Sequence, residues 1–299
     1  MGRLKIAITG ANGMLGASLA SLFHLNHAVC AIHRDDKALA PCSVDLSFDL
    51  SDLTALCAGL TNFKPDIVIH CAACVDLEVC EENPEIAYKE NVEVTENVVL
   101  ACPDEAALVY ISTDQVYGNN PDHSESRTDL EPLNVYGKTK LEGEQVVLRR
   151  DSQAFVIRTN IFGSSTKPGQ INSTEWMLDA LKRQEAITLF NDYSFSPIYT
   201  ELLGRKLLDL IELKITGVFN LGARTPCTKY EFGLGLAEAM ELPSDNLIPG
   251  SLRDFESDVK RSHDLSLDVG KINRLGILLP TYQESLRAYS RTQEEGSEK

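Results

Sequence analysis

The stretch "LKIAITGANGMLGASLASLFHL", residues 4–25, decides the fold. Its opening, "LKIAIT" (4–9), is a continuous apolar run of strand length, and "MLGASLASLFHL" repeats apolar side chains at the helical period. Between them, "TGANGMLG" sets Gly10, Gly13 and Gly16 where the strand ends and the helix begins. The first glycine permits a tight turn, the second lets backbone approach a diphosphate, and the third allows close packing of helix on strand. The helix N-terminus then offers N–H groups and a partial positive charge to phosphates. A lone glycine pattern reads as no more than a tight turn. With a strand before it and a helix after it, the pattern reads as a dinucleotide-binding loop.

Working outward, strand and helix patterns alternate. "AVCAI" (28–32), "DIVIHCA" (66–72), "ALVYIS" (107–112) and "AFVIRT" (154–159) read as strands. "SDLTALCAGLTNF", with Ser51 as its N-cap, about 84–101 and 134–149 read as helices. Strands that are apolar throughout are buried on both faces, so the fold class is α/β, a Rossmann-like doubly wound parallel sheet. After residue 163 a turn-rich "GSSTKPGQ" precedes helices at 173–184, 199–213 and 228–240, and "GVFNLG" (217–222) reads as a strand that rejoins the sheet. The expected division is a dinucleotide-binding domain over 1–163, a smaller α/β, mainly substrate-binding region over 164–290, and a flexible tail over 291–299.

The chain has 299 residues, enough for a sizeable core, and a net charge of −16, which argues against nucleic acid as a partner. No apolar run reaches the roughly 18 residues of a membrane span, and no secretory leader pattern is present, so the expected location is cytoplasmic. Cys71, Cys74 and Cys80 have no second pair at metal spacing, so no metal is expected.

"AIHRDD" ends the second strand, where a carboxylate binds the adenosine ribose of NAD and an arginine accommodates the 2′-phosphate of NADP. His33 followed by Arg34 favours NADP. The alternative is that Asp35 or Asp36 takes the ribose of NAD. In "NVYGKTKLEGEQ" (134–145), Tyr136 and Lys140 share one helix face a turn apart. An ammonium beside a phenol lowers its pKa and suits it to proton transfer. "YISTDQVYG" (110–118) is a strand ending at Ser112, Thr113 and Asp114, the strand edge where parallel sheets bind ligands.

"TGANGMLG", "HCAA", "ENV" with Asn91, "STDQVYG" and "YGKTK" fall in the order of the extended short-chain dehydrogenase/reductase superfamily. Within it, "ISTDQVYG", "PLNVYGKTKLEGE", "VIRTNIFG" and "LSLDVGKINRLGI" resemble the dTDP-4-dehydrorhamnose reductase, or sugar-nucleotide-binding, family. The resemblance implies a nicotinamide-dependent oxidoreductase of dTDP-rhamnose biosynthesis type, acting on a 4-keto-6-deoxy nucleotide sugar. It implies Thr113 as the catalytic hydroxyl with Asp114 beside it, Tyr136 as general acid and Lys140 as its partner. It places Asn12, Gly13, Met14 and Leu15 along the diphosphate and ribose, Asp49 and Leu50 against the adenine, and Cys71, Ala72 and Ala73 beneath the cofactor. The local cations are Lys138, Lys140, Arg158 and Lys167, and one or more of them is expected to meet the nucleotide diphosphate. The chain departs from the family pattern at His70, Val75 and Ile161, which leaves the sugar open. Two other readings stand beside the reductase. One is a nucleotide-sugar epimerase or dehydratase that retains NAD. The other is a non-catalytic subunit resembling the regulatory subunit of methionine adenosyltransferase. The oligomeric state stays open, with a homodimer among the alternatives.

Overall fold

The computed structural model describes residues 2–120, 122–150, 153–167 and 169–297. In chain order the first half runs β1 (Lys5–Thr9), α1 (Met14–His24), β2 (Ala28–His33), β3 (Val44–Ser47), α2 (Leu53–Phe63), β4 (Ile67–His70), α3 (Leu77–Glu82) and α4 (Pro84–Tyr88). A π-helical turn (Lys89–Glu93), α5 (Val94–Ala101), β5 (Ala107–Thr113), a short 3-10 turn (Asp114–Tyr117), α6 (Val135–Leu148) and β6 (Ala154–Phe162) follow. The second half comprises α7 (Ser173–Arg183), β7 (Ile187–Phe190), β8 (Ser194–Phe195), β9 (Pro197–Tyr199), α8 (Thr200–Glu212) and β10 (Gly217–Asn220). It ends with β11 (Cys227–Thr228), α9 (Lys229–Ala239), β12 (Leu247–Gly250), β13 (Asp264–Leu265), α10 (Gly270–Arg274) and α11 (Tyr282–Ser297).

The main sheet is parallel, in the order β3-β2-β1-β4-β5-β6-β10, with β9 paired to the far end of β6. Strand order reverses between β1 and β4, which opens a crevice at the carboxyl ends of those strands. The register aligns those ends: Thr9 lies opposite His70, and Thr113 opposite Thr159. Alternate residues of β1 feed two cores. Ile6 and Ile8 join Leu19, Leu203, Leu207 and Phe219 on one face, and Ala7 joins Leu56, Val98 and Val147 on the other. A third core in the second half is built around Phe162, Tyr199, Phe232 and Tyr289.

Several expectations need correction. Asp52, not Ser51, caps α2, its carboxylate accepting from the Ala55 N–H, while the Ser51 N–H donates to Asp49. The helix expected over 84–101 is interrupted by the π turn, which turns Asn91 inward. The expected tail is helical as far as Ser297, because α11 buries Leu286 and Tyr289 against the third core, and Gln293 donates to Ser164. Residues 298–299 lie outside the described residues. The strand β3 and the short strands β7, β8, β9, β11, β12 and β13 were not anticipated.

Candidate active site

The glycine loop packs where the sequence places it. Gly10 has φ of +65°, and a Cβ there would lie 2.7 Å from the Ala72 nitrogen. A Cβ on Gly16 would meet the Gly10 carbonyl at 2.2 Å, so α1 rests directly on the loop. The first turn of α1 has no side-chain cap and no acidic residue, which leaves the N–H groups of Met14 and Leu15 for an anion. The adjoining cleft is lined by Gly10, Gly13, Arg34, Asp35, Asp49, Leu50, Cys71, Ala72 and Ala73. These residues fit a dinucleotide. Asn12 also lines this cleft. Its side chain is bound to Asp35, the Lys37 carbonyl and the Leu39 N–H, so it shapes the turn after β2.

His33 does not follow β2 but ends it, and its ring is buried. Nε2 lies 2.6 Å from Asp45 and Nδ1 3.1 Å from the Asp35 carbonyl, so the imidazole ties β2 to β3 at the cleft wall. Arg34 stands at the cleft rim, paired with Glu90 at 3.2 Å and more loosely with Asp49.

The dinucleotide cleft shares Cys71 and Ala73 with a second cavity lined by Met14, Leu15, Ser112, Thr113, Asp114, Tyr136, Lys140 and Asn160. The carboxyl end of β5 presents Thr113 beside Tyr136 in the wall of this cavity. Thr113 donates to Asp114 at 3.1 Å, and Asn160 on β6 donates to the other Asp114 oxygen at 2.5 Å. Burial pushes the Asp114 carboxyl up to about 6. Asn134 caps α6, its oxygen accepting from the Gly137 N–H at 2.8 Å, and this sets Tyr136 in the first turn. Asn91 grips the neighbouring loop: its side chain bonds both the N–H and the carbonyl of Cys74 and donates to Thr139, between Tyr136 and Lys140.

Lys140 is buried, with its ammonium 4.0 Å from the centre of the Tyr110 ring. Burial pulls its pKa down to about 7, against the pull of Glu144. The expectation that Lys140 depresses the Tyr136 pKa is not met. Burial pushes the phenol upward, and Thr113 is the group that pulls it back.

The remaining cations divide by element. Arg158 is locked below the cavity in a two-bond pair with Glu144, which also accepts from Ser112, so it is not available to a substrate diphosphate. Lys138 is exposed and lines a separate groove with Tyr88 and Arg149. Lys167 lies at the dinucleotide cleft. The departure at His70 has a structural account: its ring bonds Thr9 and Thr95 and ties β1, β4 and α5 together. Sequence reasoning missed Asn160, although the strand-end rule that selected Thr113 applies equally to β6. It also missed Lys229, whose charge acts on Asp114 from the first turn of α9. No local pattern signals that approach.

The model of the RmlD substrate binding domain matches residues 4–294. The chain belongs to the RmlD substrate binding domain family. Among relatives of this RmlD-family chain, a probable low-salt glycan biosynthesis reductase of Haloferax volcanii is 26% identical over 287 residues, 94% of this chain and 95% of that protein. Methionine adenosyltransferase 2 subunit beta of Danio rerio is 30% identical over 283 residues, 91% of this chain and 85% of that protein. Among solved structures, dTDP-4-dehydrorhamnose reductase of Bacillus anthracis, in complex with NADP, superposes with a TM-score of 0.83 at 25% identity, covering 96% of this chain and 98% of that one. The RmlD-family chain therefore has the mostly parallel Rossmann-like sheet of this reductase.

Proposed function

We propose that the protein reduces a 4-keto-6-deoxy nucleotide sugar with a nicotinamide dinucleotide, NADPH in preference to NADH. The observation that carries the reading is that Thr113, Tyr136 and Lys140 line one cavity, which shares Cys71 and Ala73 with the glycine-loop cleft. A reduced nicotinamide, when bound, supplies the hydride. Tyr136 donates its proton to the substrate oxygen as that oxygen gains charge, and Thr113 hydrogen-bonds the same oxygen. Asp114, fixed by Asn160, accepts the Thr113 hydrogen bond until substrate binds, and Thr113 then turns that proton to the substrate oxygen. Lys140 holds the cofactor ribose. The NADP-bound reductase of similar fold supports the cofactor class, and Arg34 at the rim supports the phosphorylated form. A cytoplasmic homodimer is the assembly to test first; among the described residues no helix is long and apolar enough to cross a membrane.

The test is a panel of 4-keto sugar nucleotides with NADPH and NADH, followed at the nicotinamide absorbance. Stoichiometric, substrate-dependent oxidation of added NADPH is expected. Protein that carries tightly bound NAD and interconverts sugar nucleotides without added cofactor would instead be an epimerase. A second reading, a subunit of a larger enzyme, is favoured by the 30% likeness to a subunit of methionine adenosyltransferase. Co-purification of a stable partner together with no turnover on the panel would select it.

A further inference from the structure

Across the cofactor cleft, the loop after β6 returns to the glycine loop. The Thr166 hydroxyl donates to the Asn12 carbonyl at 2.6 Å, and Asn172 holds the loop's base by donating to the Gly163 carbonyl at 2.8 Å. The next residue, Lys167, reaches Asp35 at 2.9 Å. Asp35 is the second residue after β2, where a NAD-type carboxylate would take the ribose hydroxyls. In this chain both of its oxygens are engaged, one by Lys167 and the other by Asn12 at 2.9 Å. The carboxylate is held below its ordinary range mainly by those two bonds.

Lys167 is therefore a cation carried to the adenosine end of the cleft by a tethered loop from the other half of the chain. It stands in the same cleft lining as Arg34. Its pair with Asp35 is 39% and 38% exposed, and exposed pairs of this kind are weak, so a stronger anion displaces the carboxylate readily. Asp35 keeps its Asn12 partner when Lys167 leaves.

We infer that Lys167 selects the cofactor by binding, together with Arg34, the 2′-phosphate of its adenosine ribose, exchanging Asp35 for the phosphate. The inference rests on the dinucleotide reading above and adds a selecting residue outside the β2 turn.

The experiment is a fluorescence titration of NADPH and NADH into the full-length protein and into Lys167→Ala, Lys167→Gln, Arg34→Ala and Thr166→Val variants. Thermal unfolding of each variant checks that it is folded. Lys167→Ala and Lys167→Gln should each weaken NADPH by about 10- to 100-fold, the range of a lost charge-assisted bond, and NADH by less than about 3-fold. The salt dependence of NADPH binding should fall in step. Thr166→Val, which loosens the loop that carries Lys167, should weaken NADPH more than NADH, and by less than the Lys167 variants do. Equal losses for both cofactors in the Lys167 variants, or no loss for NADPH, would overturn the inference. A wild-type protein that prefers NADH would overturn the NADPH reading and this inference with it. A wild-type preference for NADPH that survives in the Lys167 variants overturns this inference alone.

Discussion

At Tyr136 the proton donor and the packed ring are separable, because a phenylalanine keeps the ring and drops the hydroxyl. Tyr136→Phe should lower kcat by at least ~10²-fold with little change in cofactor affinity, since the lost bond acts in the transition state. Steady-state kinetics beside a cofactor titration measure both, and turnover like that of the wild type would remove Tyr136 from the chemistry. Lys140 makes a different prediction. In the folded chain it loses its proton near pH 7, whereas in the unfolded chain it holds it to about 10.5. Between those values the unfolded state binds more protons, so this group makes stability rise with pH. Lys140→Met removes the buried ammonium. The variant should unfold at a higher temperature than wild type at or below pH 7, and the gap should close as pH rises toward 10. A gap that stays constant or widens over that range would show that Lys140 titrates normally. At this scale the sequence was informative about identity and silent about surroundings. Tyr136, Thr113 and the glycines announce themselves by spacing, whereas the Arg158–Glu144 pair and the His33–Asp45 pair depend on which strand lies beside which.

At the level of elements, α6 is the part on which the site depends. Asn134 is 2% exposed and does more than cap the helix: its Nδ2 also donates to the Gln115 side chain and the Lys260 carbonyl, each at 3.1 Å. Asn134→Ala should cost about 2–3 kcal/mol, the sum of a lost cap and two buried hydrogen bonds. A guanidinium titration with unchanged slope reads that loss, and a change under about 0.5 kcal/mol would show that the cap is dispensable. The long, strongly periodic helices and the apolar central strands were legible because burial on both faces writes a continuous apolar run. The π turn was not, since an extra residue in a helical turn leaves the local pattern nearly unchanged. Its effect is tertiary, in aiming Asn91 at Cys74 and Thr139. The two-residue strands β8, β11 and β13 are shorter than any alternation a sequence can display.

Across the whole molecule, the boundary expected at residue 163 is a boundary of chain order more than of packing. One face of the sheet is covered by Leu203, Leu207 and Leu210 of α8 and by Ile272 of α10, all from beyond that boundary. A chain cut after Gly163 would bare this face and one edge of β6. It should fail to give a monomer with a cooperative unfolding transition, as judged by light scattering and calorimetry. A soluble, cooperatively melting fragment would establish residues 1–163 as a self-sufficient unit. The place of β10 beside β6 also has a consequence in time. Synthesis runs from the N-terminus, so β6 leaves the ribosome well before Gly217–Asn220 exists to pair with it. At about 5–20 residues per second the interval is on the order of seconds, long compared with hydrophobic collapse. During it the nascent chain holds a row of unpaired peptide groups next to Phe155 and Ile157, open to a neighbouring chain or to a chaperone. A pause in translation between residues 163 and 217 would prolong that exposure.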